Sequence, residues 1–201
     1  LGALSVASFR DDGLEPEAVT SHAATLGTSD PVAVHAGLDT LIAQFDLGKL
    51  SRSPGRFDIE ELAALNARLL HAMPYEVAAP RLTARGIAAD AALWAVARGN
   101  LSKMQEVAGW REVAEGNIVP LIEDAEFCAA AAALLPSEPW SEATWGDWTG
   151  AVKAATGRKG RELFHPLRLA LTGRENGPEL KLLLPLIGRR RALARLEGCA
   201  P

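Results

Sequence analysis

The densest chemistry in this chain is positive charge near its end. Arg158, Lys159 and Arg161 form one basic group and Arg189, Arg190 and Arg191 another, with Arg168 between them in a Pro-Leu-Arg triplet. A guanidinium is a permanently charged fork of donors that fits phosphates and the edges of unstacked bases. Up to residue 150 the chain holds 10 Lys and Arg against 21 Asp and Glu, and from 151 to 201 it holds 11 against 4. A net of −11 is thus followed by a net of +7, which the overall −4 conceals. A basic segment attached to an acidic body points to a polyanionic partner met at one end. The competing reading is a solvated basic face with no partner.

Other chemistries are poorly served. No G-x-G-x-x-G, P-loop or G-x-S-x-G motif occurs. His22, His35, His71 and His165 are scattered, and no pair has the i, i+2 or i, i+4 spacing of metal ligands. Cys128 and Cys199 match no metal spacing. Cys128 sits in an apolar Ala-rich run, as a buried structural thiol would, and a disulfide framework is not expected. The acid pairs Asp11–Asp12, Glu60–Glu61 and Glu123–Asp124 lie in turn or capping contexts and read as solvated faces rather than general acid–base pairs. No apolar run approaches the roughly 20 residues that span a bilayer. The first residues lack the basic flank of a secretory signal. The chain therefore reads as a cytosolic binding module rather than a catalyst, and Leu1 as a fragment boundary.

Helices must position these groups. Pro16 and Gly27 bracket one helix with the N-terminal proline and C-terminal glycine signals. A second short helix covers 37–46. The sharpest start is Asp58, an N-cap residue with Glu61 placed to reach back and with Phe57 and Leu62 at hydrophobic-staple positions. Leu62, Leu65, Leu69 and Met73 continue from it as one apolar stripe, which Pro74 ends. Gly99 marks a break between two helices. An Ala-rich helix runs to Pro136, and another starts at Ser141. Trp140, Trp145 and Trp148 cluster at that start and read as packing rather than a base-stacking platform. Extended structure is expected only in the first few residues and near 49–57. The fold class is mostly α.

Three stretches together resemble the part of bacterial glutamyl-tRNA synthetase that follows its KMSKS loop. They are SVASFRDDGLEPEAVTSHAATLGTS, FDLGKLSRSPGRFDIEELAALNARLL and PLRLALTG…GPELKLLLPLIGRRRALARLE, in family order along nearly all 201 residues. The resemblance implies a stem-contact fold at 1–74, with short strands allowed, and two helical anticodon-binding units at 75–138 and 139–201. It implies that the full enzyme ligates glutamate to tRNA with ATP and Mg. The ATP site would lie in a catalytic domain outside this stretch, so no cofactor and no catalytic residue is expected here.

The resemblance places Arg168, Pro178 and Leu180 around anticodon bases. It places Arg98, Asn100 and Lys103 near the last anticodon base, and Lys49, Ser51, Arg52 and Asn66 at the tRNA inner corner. Asn100 stands where the family often carries an Arg that separates glutamate from glutamine tRNAs. The expected partners are tRNA(Glu) and, if that discrimination is relaxed, tRNA(Gln), bound by a monomer. Pro166 and Pro185 are expected to be kinks or junctions between short helices. A helical adaptor for protein partners, and a synthetase-like paralogue with another target, remain the alternatives.

Overall fold

The computed structural model describes residues 5–35, 37–53 and 55–200. It is mostly α, with twelve α-helices and three 3-10 turns among the described residues. Its one β contact there is an isolated antiparallel bridge between Thr28 and Leu50. The extended structure expected near 49–57 amounts to that bridge, beside a 3-10 turn at Leu47–Lys49. The first four residues, also expected to be extended, lie outside the described ones. The chain divides into two compact units, Leu1–Ile87 with Arg98–Glu106, and Ala88–Ala97 with Val107–Pro201. These are limits of compactness, whereas the expected three-way division concerns function.

In the first unit, α1 (Val6–Asp11), α2 (Pro16–Thr25), α3 (Leu38–Gln44), α4 (Ile59–Ala72) and α5 (Tyr75–Ala84) follow in order. Asp58 caps α4 by accepting hydrogen bonds from the amides of Glu60 and Glu61. The Glu61 carboxylate does not close the expected capping box but lies 3.9 Å from Nδ1 of the buried His22. Phe57 does act as a staple, packing on a core of Phe9, Leu14, Ala18 and Leu62. Phe9 and Phe57 stack at 5.5 Å between ring centroids.

Asn66 explains how this unit holds together. Its Oδ1 accepts from the Glu15 amide at 2.8 Å, and its Nδ2 donates to the Ser102 carbonyl at 2.7 Å. A single buried amide thus ties α4 to the loop before α2 and to the 98–106 segment. Close by, Arg81 pairs with both Glu15 and Glu17, and Arg85 reaches Glu15 at 2.8 Å. Glu15 is fully buried, and its charge is tolerable because two guanidinium groups meet it.

The second unit contains α6 (Ala91–Ala97), α7 (Val107–Glu115), α8 (Ala125–Ala133), α9 (Glu142–Thr156), α10 (Arg161–Thr172), α11 (Leu180–Ile187) and α12 (Arg189–Leu196). Two of the 3-10 turns, Arg98–Asn100 and Met104–Glu106, fall between α6 and α7, so the break expected at Gly99 is present. Helix α11 packs on α9 and α7, and α12 on α10 and α8. Cys128 is buried, which pushes its thiol up to about 11 and leaves it inert as a nucleophile.

Pro166 and Pro185 each lie inside one continuous helix, α10 and α11 respectively. Neither marks a junction between helices. Each removes one intrahelical donor and leaves the carbonyl four residues earlier, that of Glu162 or Lys181, without its usual partner.

The least predictable feature is Arg195. It is 0% exposed and meets no carboxylate among the described residues. Its Nη1 donates to the Val113 and Leu171 carbonyls, both at 2.8 Å, and its Nη2 to the Gly116 carbonyl at 2.9 Å. These acceptors belong to the ends of α7 and α10, where carbonyls lack helical donors and the dipole is negative. Burial pushes the guanidinium down to about 10, which leaves it charged at neutral pH.

Candidate nucleic-acid interface

Arg168 lies on α10, with its guanidinium turned toward the start of α11. The turn between the two helices begins at Gly173, whose φ of +66° provides the left-handed C-cap. The Arg168 Nη2 donates to the Pro178 carbonyl at 3.1 Å. Its Nη1 is buried and has no hydrogen-bond partner. No carboxylate among the described residues pairs with it, so it is not the internal salt bridge that would have made it purely structural. Burial holds its pKa below the ordinary arginine value, the mark of a cation that has lost water without gaining a counter-charge.

This guanidinium lines a shallow cleft of about 270 Å³, together with Trp145, Phe164, Glu179, Leu180 and Lys181. Trp145 and Phe164 form an aromatic wall, with ring centroids 6.1 Å apart and planes tilted by 32°. Phe164 is 43% exposed despite that neighbour. At the start of α11 the amides of Leu180 and Lys181 precede the first intrahelical bonds, which come from Leu182 and Leu183 to Glu179. Lys181 pairs with Glu179 at 2.7 Å, and that pairing raises the lysine's pKa. The cleft thus offers π faces, a guanidinium with an unused donor and free amides, a combination suited to an unstacked, acceptor-bearing base.

The structure brings Arg168, Pro178 and Leu180 close together, although Pro178 and Leu180 contribute differently. Both are buried, so Pro178 takes part through its carbonyl and Leu180 mainly through backbone and packing. The aromatic wall is what sequence reasoning missed. Trp148 is core, with its indole N–H donating to the Ala131 carbonyl at 2.9 Å. Trp140 donates to the Pro136 carbonyl at 3.2 Å. Trp145 stands edge-on to Trp148 at 5.6 Å and is half-buried, turned to the cleft rather than absorbed into the core.

The basic groups are less free than their spelling suggests. Arg158 pairs with Asp124 and lies 4.3 Å over the Phe127 ring. Asp124 is held below the usual carboxylate range by the Phe127 amide and then by Arg158. The Arg189 amide donates to Glu138 at 2.9 Å, and its Nε donates to the Pro136 carbonyl at 3.1 Å. Arg191 turns back to the Ile187 carbonyl at 3.4 Å. Lys159, Arg161 and Arg190 are exposed.

The other expected contacts lie in the first unit. Asn100 is exposed and Lys103 half-buried, while Arg98 donates to the Met73 carbonyl at 2.9 Å and so caps the end of α4. Lys49 pairs with Asp30 at 3.0 Å, and Arg52 is exposed. The Ser51 amide donates to the Gly27 carbonyl at 2.8 Å, and its hydroxyl accepts from the Ser53 amide at 3.1 Å. Asn66, expected at an RNA surface, is completely buried with both ends of its amide engaged, so it has nothing to present to a partner.

Residues 123–200, which include this cleft, match the family model described as an anticodon binding domain. The curated homologues of the chain are glutamate–tRNA ligases. It is 55% identical over 200 residues to glutamate–tRNA ligase 2 of Methylobacterium sp. (strain 4-46), covering 98% of this chain and 45% of that protein. It is 50% identical over 198 residues to glutamate–tRNA ligase 1 of Maricaulis maris, covering 98% and 44%. The chain therefore spans somewhat under half the length of the curated relatives it matches. Its fold is that of a glutamate–tRNA synthetase crystal structure from Elizabethkingia anophelis, with a TM-score of 0.74 at 20% identity over 94% of this chain and 41% of that one.

Proposed function

We propose that the chain is the tRNA-binding portion of a glutamate–tRNA ligase, with residues 1–74 as the stem-contact fold and 75–138 and 139–201 as two anticodon-binding units. The observation that carries this reading is Arg168, a partly buried guanidinium with one nitrogen left unpartnered, lining the same cleft as Trp145 and Phe164. In the cleft a base stacks on Trp145 and Phe164 while Arg168 and the α11 amides meet its acceptors. Lys159, Arg161 and Arg190 supply phosphate attraction around it, without reading sequence.

Binding of the 201-residue chain to tRNA(Glu) across a salt series tests this. Affinity is expected to fall steeply with salt and to drop when the anticodon is replaced. Salt-insensitive binding, or equal binding to a tRNA with an unrelated anticodon, contradicts it and favours a protein-binding adaptor.

The longer protein is proposed to be a cytoplasmic, monomeric enzyme that joins glutamate to tRNA using ATP and Mg. Among the described residues, no group of three or more His, Cys, Asp or Glu is arranged for a metal. We further propose relaxed specificity toward tRNA(Gln), because Asn100 is exposed where an arginine would discriminate and Arg98 is held by the Met73 carbonyl. Charging assays of the longer protein on both tRNAs check it, and strict rejection of tRNA(Gln) sinks it.

A further inference from the structure

The turn that carries Pro178 is strapped to a different part of the second unit. Arg174 stacks over the Trp110 ring at 4.5 Å and donates to the Gly109 carbonyl at 3.3 Å. Trp110 is buried on α7, and its ring presses so closely on Gly177 that a Cβ there would overlap it. Gly177 also has φ of +148°, a region side chains avoid. The Thr172 hydroxyl donates to the Arg168 carbonyl at 2.7 Å and accepts from the Arg174 amide at 3.1 Å. The turn is thus fixed at both ends to Arg168, through Thr172 at its start and through the Pro178 carbonyl at its close. Between those two ends, the contacts of Arg174 and Gly177 with Trp110 hold the turn to α7.

We infer that Trp110, Arg174 and Gly177 form a clasp that sets the direction of the Arg168 guanidinium, making Arg174 a positioning residue for base recognition rather than a phosphate contact. This rests on the reading that the Arg168 cleft takes an anticodon base. Arg174 is spelled like every other basic residue of this segment, and only its stacking on Trp110 separates it from the exposed cations. Its side chain lies at the surface, so removing it leaves the core intact.

The experiment is a double-mutant cycle on binding of the 201-residue chain to an anticodon stem–loop of tRNA(Glu), with Arg168→Ala, Arg174→Ala and both. Arg174→Ala is expected to weaken binding about tenfold in the wild-type background and by less than about twofold in the Arg168→Ala background, the non-additivity of groups acting as one. The salt slope is expected to stay unchanged in Arg174→Ala. Gly177→Ala, which displaces the turn without touching a charge, is expected to reproduce the loss. Equal losses in both backgrounds, or a slope reduced by about one, would make Arg174 a direct phosphate contact and overturn the inference. Failure of the wild-type chain to bind the stem–loop at all would instead overturn the reading of the cleft, and this inference with it.

Discussion

The two units treat buried charge in opposite ways. In the first, the buried carboxylate of Glu15 is met by Arg81 and Arg85, and Arg81 also holds Glu17. In the second, Arg195 and Arg168 are met by backbone carbonyls. Carboxylate pairing neutralises a cation, whereas a carbonyl satisfies its donors and leaves its charge. Arginines held the second way keep their positive charge however well they are anchored. That difference teaches where the field around the cleft comes from, since even the interior Arg195 contributes to it. Each of the two arginines also keeps one buried nitrogen without a hydrogen-bond partner, Nη1 of Arg168 and Nε of Arg195, but only Arg168 lines a cleft that also holds two aromatic rings.

The largest effect should come from Arg195→Ala, which strips the donor from three helix-end carbonyls. A loss of about 3–5 kcal/mol in urea unfolding is expected, and a loss under about 1 kcal/mol would mean that water replaces the guanidinium without cost. Glu15→Ala should cost less, about 1–3 kcal/mol, because Arg81 and Arg85 are about a third exposed and can turn to solvent. Arg168→Ala should leave the melt nearly unchanged and weaken stem–loop binding about tenfold. Acid should separate the units. Arg81 holds the Glu17 carboxyl below its ordinary value of 4.5, so its stabilisation is full above that value and is lost as pH falls through the lower, folded-state value. Hydrogen exchange should therefore show α2 and α5 losing protection in acid before α7 and α12; simultaneous loss would break the comparison. Arg190→Gln should do least, flattening the salt slope by up to about one with no change in melting.

What could be read in advance was local. Asp58 and Asp124 cap their helices through amides two or three residues away, and Gly99 and Pro74 interrupt the helical pattern where they stand. The Pro-Leu-Arg and Gly-Pro-Glu-Leu stretches flank the turn between α10 and α11 beside which the cleft lies. What stayed hidden depends on partners far along the chain. Asn66 is a strut because Glu15 lies 51 residues before it and Ser102 lies 36 after. Arg195 is interior because α7 and α10 end beside it, yet it is spelled like the surface arginines near it. Trp145 and Trp148 sit on the same helix, and only packing of α8 and α10 decides that one is core and the other wall. The Arg189–Arg191 run looks like a uniform patch, while two of its members turn back to backbone carbonyls.

The cleft itself is the central claim, and titration of the chain with the tRNA(Glu) anticodon stem–loop, followed through the side-chain N–H resonances of Trp145, Trp148, Arg168 and Arg190, tests it most directly. The account predicts large shifts at Trp145 and Arg168, with Trp148 changing little behind them. Shifts confined to Arg190 and the other exposed cations, with Trp145 and Arg168 still, would contradict it.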